Sequence, residues 1–139
     1  MTQYSSPSTV GVRVINFLPG IAWFLLGLIL ICLPGEDVPK ANFLTSINFD
    51  KIVHSALFGG IVFLFCMPFK KAGYRRQDKL QLFIKITLAT CMWGLTTEFI
   101  QRYFITGRQF DLLDWAADSF GAVVAYFISV KLFAPSKQF

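Results

Sequence analysis

The chain reads as an all-α integral membrane protein, a bundle of four transmembrane helices with both termini cytoplasmic, and three observations predict it. Of its 139 residues, 55% are hydrophobic and only 15% are charged, against roughly 25% charged in a soluble domain. The chain lacks the polar surface to cover itself in water. Four apolar runs, each close to the ~20 residues a helix needs to cross hydrocarbon, are separated by polar or Pro- and Gly-bearing stretches. Five of the thirteen basic residues, Lys70, Lys71, Arg75, Arg76 and Lys79, crowd into one connection. The positive-inside rule assigns that connection to the cytoplasm.

The elements follow in order. Residues 1–14 form a polar, Ser- and Thr-rich tail ending near Arg13, and residues 15–133 form the membrane domain. The first span, Ile15 to Leu33, is longer than the apolar core of a signal peptide, and no small-x-small cleavage site follows it. It reads as a retained helix. Pro34 to Phe49 holds Pro34, Gly35 and Pro39 and reads as a loop, with Phe43, Leu44, Ile47 and Phe49 returning to the membrane interface. The second span runs from about Ile52 to Phe69, where Gly59 and Gly60 would let a neighbouring helix come close. The basic loop, Lys70 to Lys79, comes next.

The third span runs from about Leu80 to Phe104, with Thr87, Thr90, Gly94, Thr97, Glu98 and Gln101 on one stripe. That stripe should face protein. The fourth, about Asp111 to Phe133, places Asp111, Asp114, Asp118, Gly121, Ala125 and Ser129 at helical spacing, acidic at one end and small deeper in. Residues 134–139 are a short tail, and Lys131 and Lys137 agree with a cytoplasmic C-terminus.

This topology, drawn from Lys and Arg alone, puts the polar residues of three helices at the same outward end. Asp50, Lys51 and His54 open the second span, Glu98 and Gln101 close the third, and Arg108, Asp111, Asp114 and Asp118 open the fourth. Charges are costly in hydrocarbon, so such a cluster is a candidate site. Each residue has a structural reading beside the functional one. Asp111 suits an N-cap with Asp114 at the N3 position, and Asp50 could cap the second span. Asp118 lies about 10 Å deeper than Asp111 and needs a basic neighbour, His54 or Arg108, or a cation. His54, with Asp50 one turn away, is either a proton-transfer group or a structural partner. Glu98 needs a partner among Lys51, Arg102 and Arg108, or else locks the bundle as an interhelical salt bridge.

A divalent cation held by Glu98, Asp111, Asp114, Asp118 and His54 is compatible with the ligand types, although no spacing selects it. Cys32, Cys66 and Cys91 lie in apolar runs and read as small buried hydrophobes rather than a disulfide framework. The net charge of +5 is membrane topology rather than a DNA-reading face, so no nucleic acid is expected. No phosphate-binding glycine loop, CxxC pair, HExxH or GxSxG is present.

Asp50-Lys51-x-x-His54, then Glu98-x-x-Gln101, then Gly107-Arg108 with Asp111, Asp114 and Gly121, resemble the VanZ-like family of small bacterial membrane proteins. The likeness covers roughly Asp50 to Ala125. It departs at Asp118, where the family carries an Asn, which changes the charge balance of the pocket. The resemblance implies a multi-pass protein of the bacterial inner membrane, in a family whose named member is associated with low-level resistance to the glycopeptide teicoplanin.

Three functions compete. In the first, the outward polar pocket binds or modifies an envelope or lipid-linked molecule. His54, Glu98 and Asp114 would carry the chemistry there, and Asp50, Lys51, Gln101, Arg108, Asp111 and Asp118 the binding. In the second, the cluster only locks the helices of an accessory membrane protein. The third, a transporter, is weaker, because the cluster lies near one surface and no internal repeat is evident. Membrane lipids are the expected surroundings in all three.

Overall fold

The computed structural model describes residues 11–34 and 49–136. The expectations for the N-terminal tail up to Val10, for Phe43, Leu44 and Ile47, and for Lys137 fall outside that range. Among the described residues there are four helices, two short 3-10 turns and no strand. A 3-10 turn, Val14–Phe17, leads into α1 (Leu18–Ile31); α2 spans Phe49–Cys66 and runs into a second 3-10 turn, Met67–Lys71; α3 spans Arg76–Phe104 and α4 Leu112–Phe133. With their adjoining turns all four are long and apolar enough to cross a membrane.

Proline sets two of these boundaries. Pro19 has no N–H to give and its ring would clash with the carbonyl four residues back, so regular α-geometry begins only at Leu18, where proline stands in the first turn. Pro68 does the same at the far end of α2, tightening its last turn into 3-10 geometry from Met67.

The basic stretch differs from its expected form. α3 begins at Arg76 instead of about Leu80, so the non-helical connection is shorter than Lys70 to Lys79. The reason is that its cations have acceptors close by. Arg76 Nε donates to the Ala134 carbonyl at 3.1 Å, and the buried Lys79 Nζ donates to the carbonyls of Lys70 at 3.3 Å and Phe133 at 3.4 Å. Carbonyls at the ends of helices lack intrahelical partners and carry partial negative charge, which suits a lysine or arginine. Hydropathy alone reads those positions as loop.

α2 and α4 make the most extensive contact, with α3 packed on α4 and α1 set against α2. Small residues explain the close approach. Gly59 lies against the backbone of Gly121, and a side chain at Gly121 would run into the backbone of Ser55, so only glycine fits at 121. α1 docks more lightly, through Gly20 under the Phe65 ring, Trp23 Nε1 bonding the Leu57 carbonyl at 2.9 Å over Gly60, and Phe24 against Trp93. Val62, Cys66, Phe83, Ala122, Ala125 and Phe133 fill the core near the basic end. Leu88, Met92, Phe120 and Phe127, each at least 60% exposed, point away from it.

The expected stripes are the buried ones. On α3 the enclosed residues are Lys79, Phe83, Thr87, Thr90, Gly94, Thr97, Glu98 and Gln101, and on α4 they include Asp114, Asp118, Gly121, Ala125 and Ser129. Thr87, Thr90 and Thr97 return their hydroxyls to carbonyls three or four residues back, so they sit inside the bundle without an outside partner.

Candidate functional site

Lys51, His54 and Ser55 stand three and four residues apart and share one face of α2, which meets the face of α4 that carries Asp111, Asp114 and Asp118. Lys51 Nζ bonds Asp114 Oδ1 at 2.8 Å and Asp111 Oδ2 at 3.3 Å. His54 Nδ1 lies 2.8 Å from Asp118 Oδ1, and Ser55 Oγ donates to the Ala117 carbonyl at 2.8 Å. These contacts join the start of α2 to the start of α4, beside the end of α3. The polar ends of three helices therefore meet at one end of the bundle.

The connection from α3 to α4 is shaped by Gly107. A turn closes from the Ile105 carbonyl to the Arg108 N–H at 3.3 Å, with Gly107 at φ 75°, the left-handed value that a type II turn needs at its third position. The turn returns the chain to Asp111, which caps α4 by accepting the Leu113 N–H at 2.8 Å. That bond, with Lys51 beside it, holds the Asp111 carboxyl below the usual carboxylate range. The capping role expected for Asp111 is present. Asp114, at N3, does not reach back to the cap; its carboxylate goes to Lys51.

Glu98 takes the place that Asp114 leaves. Its Oε2 accepts the Asp111 N–H at 2.9 Å, so an acid on α3 completes the cap of α4. This corrects the expectation of a basic partner. Lys51 is committed to the two aspartates, and Arg102 lies outside with its guanidinium 5.7 Å from the Tyr103 ring centre. Arg108 makes no ion pair among the described residues, and its Nε is enclosed without a partner. A backbone N–H satisfies half of Glu98 and leaves Oε1 buried with none.

Asp118, like Glu98, has no exposed surface, and its basic neighbour is His54 rather than Arg108. Its second oxygen, Oδ2, lies against Gly94, where a Cβ would stand 3.0 Å away, and it too is buried without a partner. Asp50, expected to orient His54, is half exposed and 3.9 Å from Nε2, beyond hydrogen-bond reach. Gln101 is turned the other way: its Nε2 donates to the Ile31 carbonyl of α1 at 3.3 Å, tying α1 to α3. That carbonyl is in the last turn of α1 and has no helical donor.

The residues thus divide into two layers. Nearer the helix ends, Lys51, Asp111 and Asp114 form a paired layer. Inside it His54, Glu98 and Asp118 place a nitrogen and two carboxylate oxygens within 4.8 Å of one another, all buried. Two carboxylates at that separation repel by on the order of 3 kcal/mol at an effective dielectric of ~20. With both ionised, the single imidazole supplies at most one positive charge against two negative ones. The inner trio therefore favours anything that brings a positive charge or hydrogen-bond donors.

Asp50, His54 and Asp114 form a second convergent group, with Asp114 already held by Lys51. Gly94 and Ser55 are site-lining positions that a search for charged residues passes over. Ser55 is signalled only by standing four residues from Lys51 and four from Gly59, and Gly94 by its place on the polar stripe of α3. The chain is matched by no protein-family model, no curated protein and no solved structure.

Proposed function

We propose that this chain is a VanZ-like multi-pass protein of the bacterial inner membrane whose polar end faces outward and binds or modifies an envelope or lipid-linked molecule. One observation carries the reading. Glu98 Oε1 and Asp118 Oδ2 are fully buried acceptors with no partner among the described residues. A cluster that served only to lock helices would be expected to satisfy every buried polar atom, because an orphaned one costs about 1–3 kcal/mol or more. Acceptors held open beside a histidine suit a ligand with an amine or hydroxyl to donate.

The outward orientation is supported by charge. Lys70, Lys71, Arg75, Arg76 and Lys79 gather at the opposite end of the bundle, which the positive-inside rule puts in the cytoplasm. In this reading Asp118 holds the ring through Nδ1, His54 exchanges a proton with the ligand through Nε2, and Glu98 sets the charge around it. Lys51, with Asp111 and Asp114, forms the rim, and Arg108 offers an uncommitted Nε for an acidic group. The paired outer layer favours a helix-locking role for those three residues alone.

The test is expression of the chain in a teicoplanin-sensitive bacterium, wild type beside His54→Asn, which keeps a donor for Asp118, and Glu98→Gln, which keeps an acceptor for the Asp111 N–H. The reading expects the wild type to raise the inhibitory concentration, and the variants to lose that effect at unchanged membrane level and detergent stability. Variants that lose protein level in parallel with the effect would favour the lock. A wild type without effect removes the link to glycopeptides.

A further inference from the structure

We infer that His54, Glu98 and Asp118 form a binding site for one divalent first-row transition ion of the Zn²⁺ or Mn²⁺ type. The inference deepens the ligand-site reading above and rests on it for treating this cluster as a site. Three helices bring the donors together. His54 from α2, Glu98 from α3 and Asp118 from α4 are 4%, 0% and 0% exposed, and their ligating atoms lie within 4.8 Å of one another. An ion at ~2.1 Å from each donor requires them to be within about 4.2 Å, so the shell must close by no more than about 0.6 Å.

Convergence of acids alone would be weak, but the free atoms point the same way. Glu98 Oε1 and Asp118 Oδ2 are the unpartnered atoms of these two carboxylates, and each belongs to a side chain with no exposed surface. The opposite oxygen of Glu98 is anchored on the Asp111 N–H at 2.9 Å, which fixes how the carboxylate is presented. The ion would take the place of the proton between His54 Nδ1 and Asp118 Oδ1; from an imidazolium that proton leaves to solvent, and from a neutral ring it moves to Nε2. The other ring nitrogen, Nε2, faces the Asp50 carboxylate at 3.9 Å, where a small ring movement would give the outer hydrogen bond common to metal-bound histidines.

Donor chemistry selects the class. Two carboxylates balance a 2+ charge, and an imidazole nitrogen disfavours Mg²⁺ and Ca²⁺, which take oxygen ligands, relative to Zn²⁺, Mn²⁺ or Fe²⁺. Lys51 does not compete, because its ammonium is held by Asp114 and Asp111. The neighbouring group of Asp50, His54 and Asp114 is the poorer choice, since Lys51 occupies Asp114 Oδ1 and Asp50 is exposed.

The test uses the full chain in detergent, stripped with a chelator, reloaded with Zn²⁺ or Mn²⁺ and dialysed against metal-free buffer. One ion per chain is expected by elemental analysis. Glu98→Gln and Asp118→Asn should weaken binding by more than about 100-fold, the upper range for losing an outer-shell partner. Asp78→Asn, at the opposite end of α3, should bind as the wild type does. Should the site variants fail to fold, pulsed electron paramagnetic resonance of Cu²⁺-loaded wild type decides instead, with coupling to one imidazole nitrogen expected. No retained ion, equal affinity in folded site variants, or no nitrogen coupling would overturn the inference. A metal-free wild type whose cellular effect is still lost in His54→Asn defeats the metal alone. Bound metal with no effect of His54→Asn defeats the ligand-site reading.

Discussion

Replacing His54 by Phe isolates the energetics of the inner trio, because the ring volume stays while the bond to Asp118 is removed. Asp118 is wholly enclosed and its link to His54 Nδ1, at 2.8 Å, is its one side-chain hydrogen bond among the described residues. Deleting one partner of such a buried pair costs about 3–5 kcal/mol when the pair is charged, since the remaining charge is left uncompensated, and about 1–3 kcal/mol when it is neutral. The charged case is a third or more of the stability of an ordinary domain. Replacing both members by apolar residues of similar size, His54→Phe with Asp118→Leu, should be far milder, within about 1 kcal/mol of wild type. The double change also frees Glu98 from a like charge on the order of 3 kcal/mol away in energy, which pushes the same way. The assay is reversible unfolding in mixed detergent micelles, followed by loss of helical circular dichroism, for both singles and the double. A coupling of at least about 1 kcal/mol is expected. Additivity within about 0.5 kcal/mol, the behaviour of independent sites, would show that His54 and Asp118 are not energetically paired.

Further predictions follow from neighbouring geometry. Gly121→Ala should destabilise the bundle by about 1–3 kcal/mol, because its Cβ meets the rigid backbone of Ser55, and Gly27→Ala should stay within about 1 kcal/mol of wild type, because its Cβ meets only Leu57 at 3.8 Å; thermal unfolding in detergent compares them. Asp111 has a carboxyl held below its ordinary value of 3.8, so its charge stabilises the fold above that value and the contribution fades as pH falls through the folded-state value. Asp111→Asn should therefore keep most of the cap and flatten the acid limb of the stability curve, whereas Asp111→Ala should lose about 0.5–2 kcal/mol at neutral pH as well. Lys51→Met leaves the buried Asp114 without its cation; unfolding should be easier than in wild type at pH 7, and adding Asp114→Leu should recover much of the loss.

The helices and their inward faces were legible because the bundle is built on periodicity. Thr87, Thr90, Gly94, Thr97, Glu98 and Gln101 recur at helical steps and are the residues that α3 buries, apart from Lys79 and Phe83 near its start. Glycine placement was legible for the same reason: Gly59 and Gly121 meet where two backbones must touch. The partners of the charges were not. Glu98 is satisfied by the Asp111 N–H, and a backbone donor leaves no residue type to read. Lys79 is buried on carbonyls of two other segments, so its solvation depends on where α2 and α4 end rather than on its own neighbours in sequence. Asp50 is four residues from His54 and still too far to bond it, whereas Asp118, sixty-four residues away, bonds it directly. Spacing along one helix ranks local partners; the choice among partners on other helices is made by packing.

In the reading proposed above, the inner trio is a receptor whose acceptors serve something outside the polypeptide. A high-resolution structure of the protein extracted directly into lipid nanodiscs addresses it most directly. Non-protein density is expected within bonding distance of both Glu98 Oε1 and Asp118 Oδ2. Finding those two oxygens each bonded to protein side chains or backbone, with no such density between them, would contradict it.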